Sequence, residues 1–359
     1  MKKREKLTAG ECLILAAALV TGAALLAAAF FLKSERPGPL YDIQVKAARQ
    51  MQECMDAVRA EKIRRNIAIP TEDIFDTGLI GEAFNMTTST AGELGAKRTT
   101  ADPDMAALIV KMLDEAGLSE GDVLACGFSG SFPALNIAVI CACDAMGVRP
   151  VYIASVGSST WGANNPGFTS PEMLVMLYES GLIKEPPALI TPGGGDDAGR
   201  VPDEEAFAQI WERVASLGYP VMIEENFSDN TAARKELYDG EGASAFLASG
   251  GNVTSLGKNM VIDLVGQGLI REKITSVNKD SGLLELFLYE NRPAMLLLNI
   301  RQLVSDYGLP FDPVSHPAPG ESPVYSEIVY PYGIIAICLA AEALLLVLFK
   351  YLKKSNDHT

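Results

Sequence analysis

Histidine is nearly absent. The 359 residues contain two, His316 and His358, so a serine, cysteine or metal centre built on imidazole has only those to draw on. Cysteine is present but unpatterned. Cys12 and Cys338 fall in long apolar runs, Cys141 and Cys143 are two apart on an expected helix and so face different ways, and Cys54 and Cys126 stand alone. This spacing matches no zinc site and no disulfide framework. The middle four read as small buried hydrophobes, with any pairing among Cys54, Cys126, Cys141 and Cys143 left open. No lysine follows a glycine-rich loop in P-loop register, which excludes that class of nucleoside triphosphatase. Basic charge is short in the middle of the chain: Lys33 to Ile328 holds 23 Lys and Arg against 41 Asp and Glu, a net −18. Such a surface repels nucleic acid, which is not expected as a partner.

Uninterrupted apolar sequence is what the two ends have. Cys12 to Leu32 is a run of 21 without charge, and Val329 to Phe349 is another of 21 broken only by Glu342. At about 1.5 Å per residue, each is long enough for a hydrocarbon core of roughly 30 Å. A cleaved signal peptide competes for the first run, but its apolar part exceeds the usual roughly 7–15 residues, which favours an uncleaved anchor. Lys2, Lys3, Arg4 and Lys6 precede the first run, and Lys350, Lys353 and Lys354 follow the second. Both termini are therefore expected in the cytoplasm and the acidic middle outside it. Glu342 is expected either to snorkel or to face a partner within the membrane. Ala18-x-x-x-Gly22 and Ala23-x-x-x-Ala27 offer small-residue packing faces.

The expected organisation is a basic tail (1–11), a first span (12–32), an amphipathic stem helix (33–70), an extracytoplasmic α/β domain (71–312), a proline-rich linker (313–328), a second span (329–349) and a basic tail (350–359). Arg36-Pro37-Gly38-Pro39 breaks the chain before the stem, whose apolar residues recur at three-to-four spacing from Ile43 to Ile63. From Thr71 strand and helix signals alternate. Helices are expected over 101–116, 133–146, from Ser170, and over 203–217, 229–238, 283–288 and 294–307. Strands are expected over 122–127, 150–156, 188–191, 220–224 and 243–249. Alternation of this kind gives an α/β fold, a mostly parallel sheet with helices on both faces in the Rossmann-like three-layer manner.

In such a sheet ligands sit beyond the carboxyl ends of the strands. Five loops fall there: Gly127 to Ser131, Gly157 to Asn165, Thr191 to Asp197, Glu224 to Asn226, and Ser249 to Lys258. Glycine lets backbone approach a ligand closely, and amides at helix starts favour anions. The candidate ligand-binding residues are Ser129, Gly130, Ser131, Asn136, Ser158, Ser159, Thr160, Trp161, Asn164, Gly194, Gly195, Gly250, Gly251, Asn252 and Ser255. No cofactor is expected. Tight turns alone account for any one of these loops, but not as readily for the set.

Gly127-Phe128-Ser129-Gly130-Ser131 approximates a hydrolase nucleophile elbow, with Ser131 in place of the last glycine. Ser129 is the candidate nucleophile. Its base is the difficulty: His316 lies in the proline-rich linker, His358 in the cytoplasmic tail, and Lys258 has no motif behind it. The loop reads better as an amide and hydroxyl cradle. Asp196-Asp197 and Glu224-Glu225 supply hard oxygen ligands in principle, but acidic pairs in loops are usually solvated, and no metal is expected. The Asn-x-Ser/Thr triplets at Asn85, Asn226 and Asn252 are frequent by chance.

The chain resembles the poly-γ-glutamate system proteins of bacteria. The resemblance rests on the order anchor, outer domain, anchor, and on four stretches: Thr77 to Gly81 (TGLIG), Gly127 to Asn136 (GFSGSFPALN), Ser155 to Asn164 (SVGSSTWGAN) and Tyr307 to Pro313 (YGLPFDP). It implies a protein of the bacterial cytoplasmic membrane that serves the synthesis, export or capsule-forming handling of a γ-linked glutamate polymer beside other membrane components. It assigns no catalytic residue. A γ-glutamyl chain is anionic and amide-rich, which suits glycine-loop amides and hydroxyls. The net −18 suits it only where cations such as Arg149, Arg200, Lys258 or Arg271 gather at the pocket. The competing expectation is a membrane-tethered serine hydrolase or transferase acting through Ser129.

Overall fold

Successive residues of the central strands point alternately into two apolar cores, which is what a sheet covered on both faces requires. The computed structural model describes residues 8–85, 88–201, 203–259 and 266–356; Lys2, Lys3, Arg4, Lys6 and His358 lie outside them. In chain order the elements are α1 (Ala9–Phe31), β1 (Ser34–Pro37), α2 (Tyr41–Arg64), β2 (Thr88–Thr90), α3 (Leu94–Thr100), α4 (Asp104–Glu115), β3 (Val123–Phe128), α5 (Pro133–Met146), β4 (Arg149–Ser155), β5 (Ser158–Ser159), α6 (Ser170–Glu179) and β6 (Leu189–Thr191). They continue with α7 (Glu204–Ala215), α8 (Phe227–Gly240), β7 (Ala245–Ser249), α9 (Val253–Leu256), β8 (Gly268–Ile270), α10 (Leu283–Tyr289), β9 (Ala294–Leu297), α11 (Ile300–Tyr307), β10 (Ser326–Val329) and α12 (Tyr332–Asn356). Two compact units result, one formed by both chain ends up to Gly38 and from Ser326, the other by Pro39–Tyr325.

In the larger unit six strands pair in the order β6-β4-β3-β7-β9-β8, all parallel except the edge strand β8 against β9. The chain moves outward from β3 to β4 and β6, then returns past β3 to β7, so the winding reverses between β3 and β7. Leu124, Cys126, Phe128 and Leu247 face one core, with α2, α4 and α5 over it. Ala125, Val151, Phe246 and Ala248 face the other, against Tyr238 of α8 and Leu284 and Phe287 of α10.

Local chemistry explains the best-defined helix. α5 begins with Pro133 at its first turn, where a missing N–H costs nothing, and stops at Gly147, whose φ of 75° is left-handed. It is buried nearly all round, as its apolar sequence requires. Cys54 and Cys141 touch within the first core with sulfurs 4.0 Å apart, and both are free thiols, as are Cys126 and Cys143.

Several expectations are corrected. The amphipathic segment of 33–70, open from the sequence between a stalk and a helix packed on the globular part, packs: Met51, Cys54, Met55 and Val58 of α2 are buried in the first core, and each large apolar side chain so placed contributes about 1.5–3 kcal/mol. Residues 220–224 form no strand, only a bridge from Val221 to Ile190. Residues 294–307 are not one helix: Ala294–Leu297 is a buried strand, and Asn299 then caps α11 by accepting from the Gln302 N–H. A four-residue apolar run reads equally as buried strand or buried helix, and position in the sheet decided it. α3 had no expectation at all. The linker is largely part of the larger unit, since Val324 and Tyr325 are buried and Gln44 donates to the Val324 carbonyl at 3.0 Å.

In the unit of the chain ends, β1 pairs antiparallel with β10, and α1 packs along α12. Both helices are long and apolar enough to cross a membrane. Glu342 of α12 accepts a hydrogen bond from the Thr21 hydroxyl of α1, beside Gly22. The partner for this carboxylate is thus the other helix of the same chain.

Where the linker returns to α4 it closes over two carboxyls. Asp102 accepts from the Asp104 N–H at 2.9 Å, Tyr325 donates its hydroxyl to Asp104, and His316 stacks on Phe75 with its Nε2 3.9 Å from Asp102. Burial pushes both carboxyls up to about 6, from 3.8, and pushes His316 down. A carboxyl raised in the folded state holds its proton longer there than in the unfolded chain. Its contribution is therefore full below about pH 4 and is lost as pH rises through about 6. Asp102→Asn keeps the acceptor and removes the charge. The variant is expected to match the parent at pH 4 and to exceed it at pH 8 by on the order of 2 kcal/mol in denaturant melts of the detergent-solubilised chain.

Candidate functional site

Parallel strands end on one edge, and the reversal between β3 and β7 leaves a crevice there because neighbouring crossovers leave in opposite directions. A cavity of about 530 Å³ occupies it. The loops after β3, β4, β6 and β7 each contribute to its wall, and Leu298–Ile300 after β9 adds a fifth. The 89–97 segment closes the side. It is held there by the short parallel pairing of β2 with β5, Thr88 opposite Ser158 and Thr90 opposite Ser159.

Of the residues expected from the sequence, Ser129, Ser131, Ser159, Gly194, Gly195, Gly251 and Asn252 line the cavity. The remaining eight are not lining residues, and most support those that are. Gly130 lies beneath, its carbonyl accepting from the Ser158 hydroxyl at 2.9 Å and the Ala163 N–H at 2.8 Å. Asn136 is fully buried and donates to the Ser129 carbonyl at 2.9 Å. Thr160 exchanges hydrogen bonds with the Gly92 backbone at 2.7 and 3.1 Å. Trp161 and Asn164 fasten the same loop to Glu82, through the Trp161 N–H and the Asn164 amide, both at 2.8 Å. Gly250 donates to the Leu297 carbonyl at 3.0 Å, and Ser255 is buried against Gly127. Glu224 to Asn226 does not reach the cavity: Glu224 and Asn226 accept from backbone N–H groups at the start of α8.

The serine cradle is a chain of short contacts. Ser129 donates to Ser131 at 3.0 Å, the Ser131 N–H returns to the Ser129 hydroxyl at 3.2 Å, and the Ser159 N–H donates to the Ser131 hydroxyl at 3.0 Å. Asn252 donates to Ser155 at 3.3 Å across the crevice. Among the described residues, the N–H groups of Gly194 and Gly251 have no acceptor. At Gly157 an added Cβ would lie 2.3 Å from the Gly194 nitrogen, so only glycine lets the β4 and β6 loops meet.

The acidic groups at the rim are engaged. Asp196 pairs with Arg200 at 2.8 Å and with Lys258 at 3.0 Å, and Glu93 pairs with Arg301 at 3.0 Å. Asp197, next in the loop, forms a fully buried ion pair with Arg234 of α8 and accepts from Thr191 at 3.2 Å. Of the cations considered from the sequence, Arg200 lines the cavity and Lys258 pairs with lining Asp196. Arg149 pairs with Glu241, and Arg271 lies in a separate surface depression. Among the described residues no group of three or more His, Cys, Asp or Glu side chains is placed to hold a metal ion. His316, engaged with Phe75 and Asp102, does not line the cavity and supplies no base to Ser129.

The residue that sequence reasoning missed is Lys97. It lines the cavity yet is only 2% exposed. Its ammonium donates to the Ser131 carbonyl and to Ser159 Oγ, the latter at 3.0 Å, and lies 3.4 Å from the centroid of the Phe132 ring. Burial alone pushes it down to about 7 from 10.5. α3 carries it, and Asp312 secures α3 by two hydrogen bonds from Arg98, at 2.7 and 2.6 Å, and one from its own N–H to Thr99 at 2.8 Å. The signal was faint: Ser89-Thr90-Ala91-Gly92 has the composition of the other loops, but no strand pattern precedes it. Compared with protein-family models, curated proteins and solved structures, the chain matches none.

A lysine depressed in the folded state binds fewer protons there than in the unfolded chain, so it weakens the fold at neutral pH and ceases to do so as pH rises from about 7 to 10.5. Lys97→Met fills similar volume without the charge. It is expected to stabilise the protein by on the order of 1–2 kcal/mol at pH 7, after the lost hydrogen bonds are counted, with the gain shrinking toward pH 10 in the same melts.

Proposed function

We propose that the chain is a membrane-anchored accessory of poly-γ-glutamate synthesis or export, and that its strand-end cavity takes up an anionic, amide-rich segment of that polymer. The observation that carries this reading is that one cavity of an acidic unit is lined by Gly194 and Gly251, whose N–H groups have no acceptor among the described residues, by Ser129, Ser131 and Asn252, and by the Arg200 cation. Carboxylates are bound well by amide donors backed by a cation, and γ-linked backbone amides offer donors and acceptors to Asn252 and the serines. In this reading α1 and α12 cross the bacterial cytoplasmic membrane with their basic flanks inside, and the α/β unit works outside among other membrane components of the system. A ligand-binding role through Ser129 is favoured over nucleophilic catalysis by it, since its hydroxyl meets Ser131 and neither imidazole nor amine is bonded to it.

Calorimetry of the full chain in detergent tests this with oligomers of γ-linked glutamate, and with α-linked oligomers as the comparison. Saturable heat is expected for the γ-linked series. The double variant Arg200→Ala, Asn252→Ala should weaken it about tenfold, roughly one charge-assisted hydrogen bond. Equal affinity of parent and variant, or no heat at all, would remove the cavity from the proposal.

A further inference from the structure

Ser159 and Lys97 form a pair that the binding role does not require. Burying an amine against an aromatic face, with no carboxylate bonded to it, is costly for the charged form and favours the neutral, proton-accepting one, a pattern that recurs at functional sites. The charged groups nearby do not relieve it: Glu93 is held by Arg301, Asp196 by Arg200 and Lys258, and Arg98 by Asp312. Ser159 is 4% exposed and lines the cavity, so it borders a ligand there while meeting little bulk water. The backbone is shaped around the pair, since a Cβ at Gly92 would lie 2.8 Å from Ser159 Oγ and 3.1 Å from Lys97 Cε.

We propose that Ser159 is a nucleophile and Lys97 its general base, in an acyl-transfer centre acting on an amide-linked, carboxylate-bearing substrate. The substrate class rests on the ligand reading above; the pairing of the two residues does not. In the acylation step the Ser159 proton passes to neutral Lys97 Nζ as the Oγ–carbon bond forms. The carbon–nitrogen bond then breaks, and the Lys97 ammonium gives its proton to the departing amine. Water then attacks the serine ester, Lys97 taking one of its protons and passing it to Ser159 Oγ, which leaves a carboxylic acid that ionises to solvent and the regenerated neutral pair. The Nζ–Oγ distance of 3.0 Å is short enough for the first transfer once the Ser159 hydroxyl, which donates to the Thr160 carbonyl at 3.4 Å, turns its proton to the amine.

The test uses the full chain in detergent, a fluorophosphonate probe and peptide mapping by mass spectrometry across pH 5 to 9. Covalent modification is expected at Ser159, with a rate that rises with pH and reaches half its maximum near 7, where Lys97 loses its proton. Lys97→Met should lower the rate at least ~100-fold while the melting curve shows a folded protein. Modification of Ser129 in place of Ser159, no modification of a cavity serine, or a rate indifferent to pH would overturn the proposal. The wild-type site and pH profile decide it even where the variant does not fold. Binding heat with γ-glutamyl oligomers but no labelling would sink the catalytic pair alone. Labelling without heat would sink the ligand reading and leave the pair.

Discussion

Five parallel strands that end on one edge impose a geometry the rest of the α/β unit must accommodate. Hydrogen-bonded neighbours lie about 4.8 Å apart, so the loops after β3, β4, β6, β7 and β9 share a rim whether or not their sequences suit one another. Here they suit. Small residues let the loops approach, as Gly157 does toward Gly194, and short polar side chains bridge what remains, as the Asn252 amide does in donating to the Ser155 hydroxyl. Beneath the rim the buried Asp197–Arg234 pair ties the β6 loop to α8. Losing one partner of such a pair leaves a desolvated charge, which commonly costs about 3–5 kcal/mol.

The second constraint is the placement of α3. This seven-residue helix has too few internal hydrogen bonds to persist alone. Asp312 holds it, from a stretch more than two hundred residues later in the chain. The TGLIG stretch acts similarly on the loop after β4: the Gly81 N–H donates to the Trp161 carbonyl, and Glu82 exchanges hydrogen bonds with Asn164. Residues 127–136 and 155–164 thus contribute to the wall of one cavity, 77–81 lies in the layer behind it, and 307–313 anchors the helix of Lys97.

In the unit of the chain ends, a threonine and a glutamate on two apolar helices find each other beside a glycine. In an apolar surrounding, a carboxyl group without a partner is expensive, and an interhelical hydrogen bond contributes about 0.6–2 kcal/mol. At the helix ends the antiparallel β1–β10 ladder sets Ser34 opposite Val329 and Pro37 opposite Ser326.

By itself the amino-acid sequence determined the elements whose signal is local. These are the two terminal apolar helices, α5 with its proline start and glycine stop, the strands at 123–128 and 149–155, and the loops at their carboxyl ends. Periodicity, caps and turn residues act within a few positions, so they are readable one segment at a time. The serine and glycine loops were legible as a set for the same reason. Tertiary structure alone decided that residues 294–297 join the sheet, that α2 enters the core, and that His316 is stacked on Phe75 away from Ser129. It also decided that the amine beside the serines is Lys97. A lysine's burial and partners are set by residues far away in the chain, here Phe132, Ser159 and Asp312, and no local pattern of charge or periodicity encodes that meeting.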